Sequence, residues 1–316
     1  MKHSALPCSL VSSLLVLSAC TQGIRYSTPG TAPEPEISAE NFPKMDGSTS
    51  AEPILAQIAC TFLDVPCQWV EWLGGDRRLA PELTNYSEDF PNFGASGTHQ
   101  AYMNLIEGRA DLILVAREPS QDELRLSAGV GKGLDIQPVA LDAFVFIVNE
   151  DNPVSGLSTP QIQEIYTGRL TNWQSLGGID AEIHPFQRDE NSGSQELMRK
   201  LVMGNLRMVD APDLILLSMF APFYAVSDDP YGISYSVFYY EENMAPQDER
   251  VKLVAVDGVM PDQDSIRQRK YPYTTDVYAV LRSDLPKDSL AHQLRDWLLS
   301  SEGQVLIEES GYVPRY

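Results

Sequence analysis

Arg188-Asp189-Glu190-Asn191-Ser192-Gly193-Ser194 has the composition of a strand-to-helix junction with a cation built into it. Two further stretches repeat its small, hydroxyl-rich chemistry: Asp46-Gly47-Ser48-Thr49-Ser50 and Gly94-Ala95-Ser96-Gly97-Thr98. Each leads into a helical pattern, and Thr49-x-x-Glu52 and Ser192-x-x-Gln195 are spaced as capping boxes for the first and third. A helix N-terminus presents unpaired N–H groups and the positive end of the helix dipole, while glycine removes the Cβ that would hold a ligand away. Ser and Thr at such places act either as caps or as donors to an oxyanion. Three junctions in one chain favour the oxyanion, as does Arg188 four residues before Ser192. A guanidinium offers paired donors that match two oxygens of a tetrahedral anion. Arg117, at the end of the strand expected over Asp111 to Ala116, is a second candidate. For either arginine the alternative is a surface ion pair.

Outward from these turns, short β-rich runs alternate with helical ones. Strands are expected at Asp111 to Ala116, Phe144 to Asn149, Ile233 to Tyr240, Val251 to Val256 and Val277 to Leu281. Helices are expected around Ile54, Ile58 and Phe62, around Ala101 and Leu105, around Leu197 and Leu201, and over Leu290, Leu294, Trp297 and Leu298. Such alternation is the signature of an α/β fold. With 316 residues, 43% of them hydrophobic, the chain can bury a sizeable core in about two units. Trp173 and the run Phe238-Tyr239-Tyr240 read as packing groups, not as sugar platforms.

Lys and Arg number 23 against 44 Asp and Glu, a net charge of −21 that repels nucleic acid and anionic lipid surfaces. It does not exclude a small anion, because short-range hydrogen bonds prevail over a global charge screened beyond about 8 Å. At the N-terminus, Lys2 and the apolar run Leu10 to Leu17 have the form of a secretory signal. Leu17-Ser18-Ala19-Cys20 resembles the lipobox of bacterial lipoproteins, which implies cleavage after residue 19 and lipidation of Cys20. Residues 20–43, with Thr28-Pro29-Gly30 and Pro33-Glu34-Pro35, read as a flexible tether. Outside the cytoplasm Cys60 and Cys67 form either a small disulfide loop or two buried thiols. No metal site, cofactor or hydrolase motif is found; His99, next to the second turn, either meets the anion or packs.

Taken in order, these elements resemble the periplasmic phosphate-binding proteins of ABC importers, in the two-lobed type II solute-binding fold. The resemblance runs from about Lys44 to the end. It is carried by Asp46-Gly47-Ser48-Thr49, by Gly108-Arg109-Ala110-Asp111-Leu112 and by Leu141-Asp142-Ala143-Phe144 continuing to Asn149. Ile165-Tyr166-Thr167-Gly168, Asn172-Trp173, the Arg188 to Ser194 run, Tyr231-Gly232-Ile233-Ser234-Tyr235, Tyr271-Pro272-Tyr273 and Gly311-Tyr312-Val313-Pro314 follow. It implies lobe one over 44–141 plus 274–316, lobe two over 142–273, and an anion held in the cleft between them. The implied phosphate ligands are Ser48, Thr49, Ser50, Ser96, Thr98, Arg188, Ser192, Gly193 and Ser194, with Glu190 bracing Arg188. Two positions depart from the pattern. Ala116 and Arg117 stand where many relatives carry an acid that accepts the proton of hydrogen phosphate, which adds Arg117 as a candidate ligand and leaves selectivity against sulfate open. Ala95 replaces a usual hydroxyl, leaving Ser96 or Thr98 to substitute. The expected activity is capture of inorganic phosphate by a monomeric, lipid-anchored extracytoplasmic receptor for an ABC permease, without covalent change. The alternative is a sensor or scaffold lipoprotein of the same fold that binds another oxyanion or none.

Overall fold

The computed structural model describes residues 1, 32–72, 75–82 and 93–316. The signal segment, Cys20 and the first part of the tether lie outside the described residues.

The backbone is organised by one long strand, Leu134–Asn149. Its first part pairs antiparallel with Thr274–Arg282, ending at Thr274↔Ala143. From the next residue the partner changes: Phe144 pairs with Val237 of the strand Gly232–Val237. The sheet order is Met45–Gly47, Leu112–Val115, Thr274–Arg282, Leu134–Asn149, Gly232–Val237 and His184–Pro185, with Val251–Leu253 and Val313–Pro314 also on the long strand. Met45–Gly47 runs parallel to Leu112–Val115, as Gly232–Val237 does to His184–Pro185. One strand thus serves two bodies, and Ala143 and Phe144 mark the passage between them.

The long strand reads as a near-continuous apolar run from Val139 to Val148 because both faces are covered, which removes the alternation of a half-exposed strand. Phe144, Phe146, Tyr166 and Tyr235 pack ring to ring at 5.3 to 6.3 Å between centroids. Trp173 is fully buried, its Nε1 donating to the Tyr231 carbonyl at 2.9 Å. Ile37 and Phe42 are buried in the same core, so the folded body begins inside the stretch expected to be a tether up to residue 43. Pro35 and Pro43 beside them are buried as well.

The strand expected over Ile233 to Tyr240 stops at Val237, and Phe238–Asn243 is a helix. The fully buried Asp142 explains the turn. Its Oδ1 accepts the amides of Ala143 at 2.8 Å and Tyr239 at 3.0 Å, which satisfies the new helix end and overrides the β preference of the aromatic run. Cys60 and Cys67 are bonded, with Cα atoms 5.7 Å apart, and join the helix Glu52–Phe62 to a hairpin of Cys67–Glu71 and Arg77–Pro81. Among the described residues no helix is long and apolar enough to cross a membrane.

Candidate functional site

All three turns open into one cavity of about 360 Å³. Ser48, Thr49, Ser50, Ser96, Thr98, Arg188, Ser192, Gly193 and Ser194 line it. The first two turns are locked together by Asp46 at the end of the Met45–Gly47 strand. Its Oδ1 accepts Gly47 N at 2.7 Å and Ser96 N at 2.9 Å, and its Oδ2 accepts the Ser96 hydroxyl at 2.6 Å. The one hydroxyl proton of Ser96, expected as a ligand, is therefore spent on Asp46 and holds the two turns together. Gly97, with φ of +95°, then reverses the chain into the helix Thr98–Glu107.

Neither expected capping box forms. Ser48, not Thr49, caps the first helical turn by accepting Ala51 N at 3.3 Å, and Glu52 turns to Arg78 at 3.1 Å. At the third turn Gln195 is drawn into the interior, where its Oε1 accepts Arg188 N at 3.2 Å and pairs closely with the Tyr235 hydroxyl. Ser192 occupies the N-cap without a side-chain cap bond. As a result the hydroxyls of Thr49, Thr98, Ser192 and Ser194 have no intramolecular partner among the described residues and stay available at the cavity wall. The helix Gly193–Leu197 continues as a π-helical stretch, Met198–Met203.

Arg188 is 6% exposed. The parallel pairing of Gln187–Arg188 with Ile215–Leu216 sets its guanidinium against main-chain carbonyls: Nε donates to Leu216 O at 3.0 Å and Nη2 to Leu217 O at 3.3 Å. Glu190, expected to brace it, pairs instead with Arg199 at 3.2 Å. Among the described residues Arg188 makes no ion pair with any carboxylate. Burial pulls its pKa down, with the charge of Asp189 opposing. A guanidinium held by neutral oxygens in the interior, with the nearby Asp189 charge but no ion pair to offset it, favours an incoming anion.

Arg117 is elsewhere. It is 5% exposed, and its Nη1 and Nη2 each donate to the Glu123 carboxylate at 2.8 Å, with Nη1 also donating to Glu118 O at 2.8 Å. It also lies 5.5 Å from the Tyr102 ring centroid. Arg117, expected as an anion ligand or a surface ion pair, does not line the cavity and is instead held in a buried pair with Glu123. The physical reason is Glu123, a buried acceptor in the first turn of the helix Gln121–Gly129. Burial pushes its carboxyl up, but the hydrogen bonds and charge of Arg117, the Ser120 amide and His99 together bring it below the usual range. The same carboxylate meets His99 Nδ1 at 2.9 Å, so His99 serves this cluster. Ser120-x-x-Glu123, a capping box visible in the sequence, was the overlooked signal.

The turns meet across the two bodies. A Cβ on Gly193 would lie 2.5 Å from Thr98 Oγ1, closer than any side chain tolerates, so glycine is required for the second and third turns to touch. Lys200 pairs with Glu118 over the same gap, and Arg77 N donates to Met244 O at 2.7 Å. The far wall holds residues the sequence did not single out: Asp76 and Arg78 from the hairpin, and Leu217 to Phe220. Among the described residues no group of three or more His, Cys, Asp or Glu is placed to hold a metal.

A two-bodied α/β chain with one shared strand and an interlobe cleft of helix N-termini is the architecture of a solute-binding protein, and residues 75–302 match the PBP superfamily domain. The chain belongs to the PBP superfamily. It is 22% identical over 227 residues to the phosphate-binding protein PstS of Borreliella burgdorferi, covering 70% of this chain and 78% of that protein. Its fold is similar to a putative phosphate ABC transporter substrate-binding protein with bound phosphate from Clostridium perfringens, with a TM-score of 0.63, 23% identity and coverage of 88% of this chain and 98% of that one. An ABC-type phosphate transport receptor from Vibrio cholerae is similar with a TM-score of 0.61, 22% identity and coverage of 88% and 99%.

Proposed function

We propose that the protein is a lipid-anchored, extracytoplasmic receptor that captures inorganic phosphate between its lobes and delivers it to the permease of an ABC importer. Lobe one comprises residues 44–141 and 274–316, lobe two 142–273, and the monomer is the binding unit. The observation that carries this reading is Arg188: a buried cation without an acidic partner, at the point where free hydroxyls from three turns converge. The similar proteins named for phosphate binding and phosphate transport support the same ligand. Cys20 and the apolar run before it support the anchoring. Phosphate binds by bridging the lobes: Arg188 and the Ser192, Gly193 and Ser194 turn approach it from lobe two, and Thr49 and Thr98 from lobe one. Gathering these donors around one anion stabilises the closed arrangement, which is the form a permease would recognise. Isothermal calorimetry of the chain, freed of bound anion, tests this: saturable one-to-one binding of phosphate is expected, and no heat with phosphate refutes it.

A further inference from the structure

A second cavity, of about 150 Å³, shares Leu197 with the first. Thr274 and Thr275, where the strand Thr274–Arg282 meets the passage between the lobes, form part of its wall. The rest carries charge from both lobes. Arg117 and Glu118 line it from lobe one, and Glu196 and Lys200 line it from lobe two, four residues apart on the helical stretch that begins at the third turn. Each lobe thus brings one cation and one anion to the gap, and Lys200 pairs with Glu118 across it. The other pairing acts at longer range. Burial pulls the Arg117 pKa down, whereas Glu123 first, and then the charges of Tyr102 and Glu196, hold it above its ordinary value. Its Nε is buried and has no hydrogen-bond partner among the described residues. Glu118 stands on a fixed main chain, because Arg117, itself held by Glu123, donates Nη1 to Glu118 O at 2.8 Å.

Lys200 and Glu118 keep 54% and 49% of their side-chain surface exposed, and an ion pair so open to water contributes little to folding. Across an interface, however, complementary charges fix register, and like charges brought together are penalised. The charges here match in one register of the lobes, with Lys200 opposite Glu118 and Glu196 toward Arg117. A slide that set Glu196 against Glu118 would oppose two carboxylates. The helical stretch that carries both charges begins at Gly193, which lies against Thr98 of the other lobe. We infer that Glu118 and Lys200 are positioning residues for anion binding: by fixing this stretch of lobe two against lobe one, they hold Ser192, Gly193 and Ser194 opposite Thr98 and raise affinity without touching the anion. This rests on the reading of the cleft as a phosphate site. Arg188 and the turns supply the attraction, and the charges behind Leu197 set the lobes where those donors converge.

The test is calorimetry with inorganic phosphate on the full chain, freed of bound anion, comparing the wild type, Lys200→Glu, Glu118→Lys, the double reversal and Arg188→Ala, with thermal melts to show that each is folded. Either single reversal sets like charges together at the gap, so affinity is expected to fall by roughly fivefold or more. The double reversal restores opposite charges and should bind more tightly than either single one, whereas local damage at the two sites would add. Single reversals that bind as tightly as the wild type overturn the inference, as does a double reversal no tighter than the single ones. Lys200→Gln gives a readout that does not need the reversals to fold. Its deficit against the wild type, about two- to fivefold at about 0.01 M sodium chloride, should vanish near about 1 M, where the screening length is about 3 Å. A deficit equal at both salt concentrations, or absent at the lower one, overturns the inference. If Arg188→Ala loses binding while Lys200→Glu keeps it, the phosphate reading stands alone. Failure of the wild type to bind phosphate removes both.

Discussion

Asp142→Asn should make the protein more stable at pH 8 and leave it almost unchanged near pH 4. Asp142 is 1% exposed, its Oδ1 accepts two backbone amides, and its buried Oδ2 has no partner among the described residues. Burial pushes the carboxyl from 3.8 up to about 7, with the amide bonds of Tyr239 and Ala143 pulling the other way. Between those values the folded chain holds a proton that the unfolded chain has released, so stability falls as pH rises. The contribution is fully present below pH 3.8 and lost by the time pH has passed about 7. Three pH units at about 1.4 kcal/mol each set an upper bound of about 4 kcal/mol. Asparagine keeps the oxygen that Ala143 and Tyr239 require and never ionises. Urea unfolding of both proteins at steps from pH 4 to pH 8 measures the difference, which should grow through this range and level off near its top. A gap between variant and wild type that does not change with pH would mean that Asp142 does not titrate in this range.

Two further substitutions separate the cleft from its supports. Gly193→Ala drives a methyl group to within 2.5 Å of Thr98 Oγ1, so the second and third turns must move apart and phosphate affinity should fall by roughly tenfold or more in calorimetry. Glu123→Ala leaves the Arg117 guanidinium buried without its partner and should lower unfolding free energy by about 3 kcal/mol in denaturant titration. Because Arg117 is outside the cleft, that variant should bind phosphate within about tenfold of the wild type, or the placement of Arg117 is wrong.

The parts of this molecule that local sequence could reveal are those whose physics is local. A Ser-Gly turn before a helix needs only its own residues to expose N–H groups, and the three turns were legible together with Arg188. The α/β alternation was legible for the same reason, though the long strand was read only from Phe144, because Leu134 to Gln137 is half-buried and Pro138 interrupts the run. What escaped depends on distant partners. Arg117 resembles Arg188 in sequence, and only the buried Glu123 decides that one faces an acid while the other faces the cleft. Phe238 to Tyr240 has strand composition and becomes helix through Asp142, some hundred residues away, whose bond to Tyr239 spans 97 positions. Asp76 and Arg78 arrive at the cleft on a hairpin tied back by Cys60 and Cys67, a placement set by tertiary packing.

In the proposed site Arg188 holds a tetrahedral anion between the lobes. Parallel phosphate titrations of the wild type and Arg188→Ala by calorimetry, with thermal melts to show that both are folded, test it most directly. Removing one member of a buried charge pair typically costs 2 to 5 kcal/mol, so affinity should drop about thirtyfold or more. Equal phosphate affinity in the two folded proteins would contradict the account.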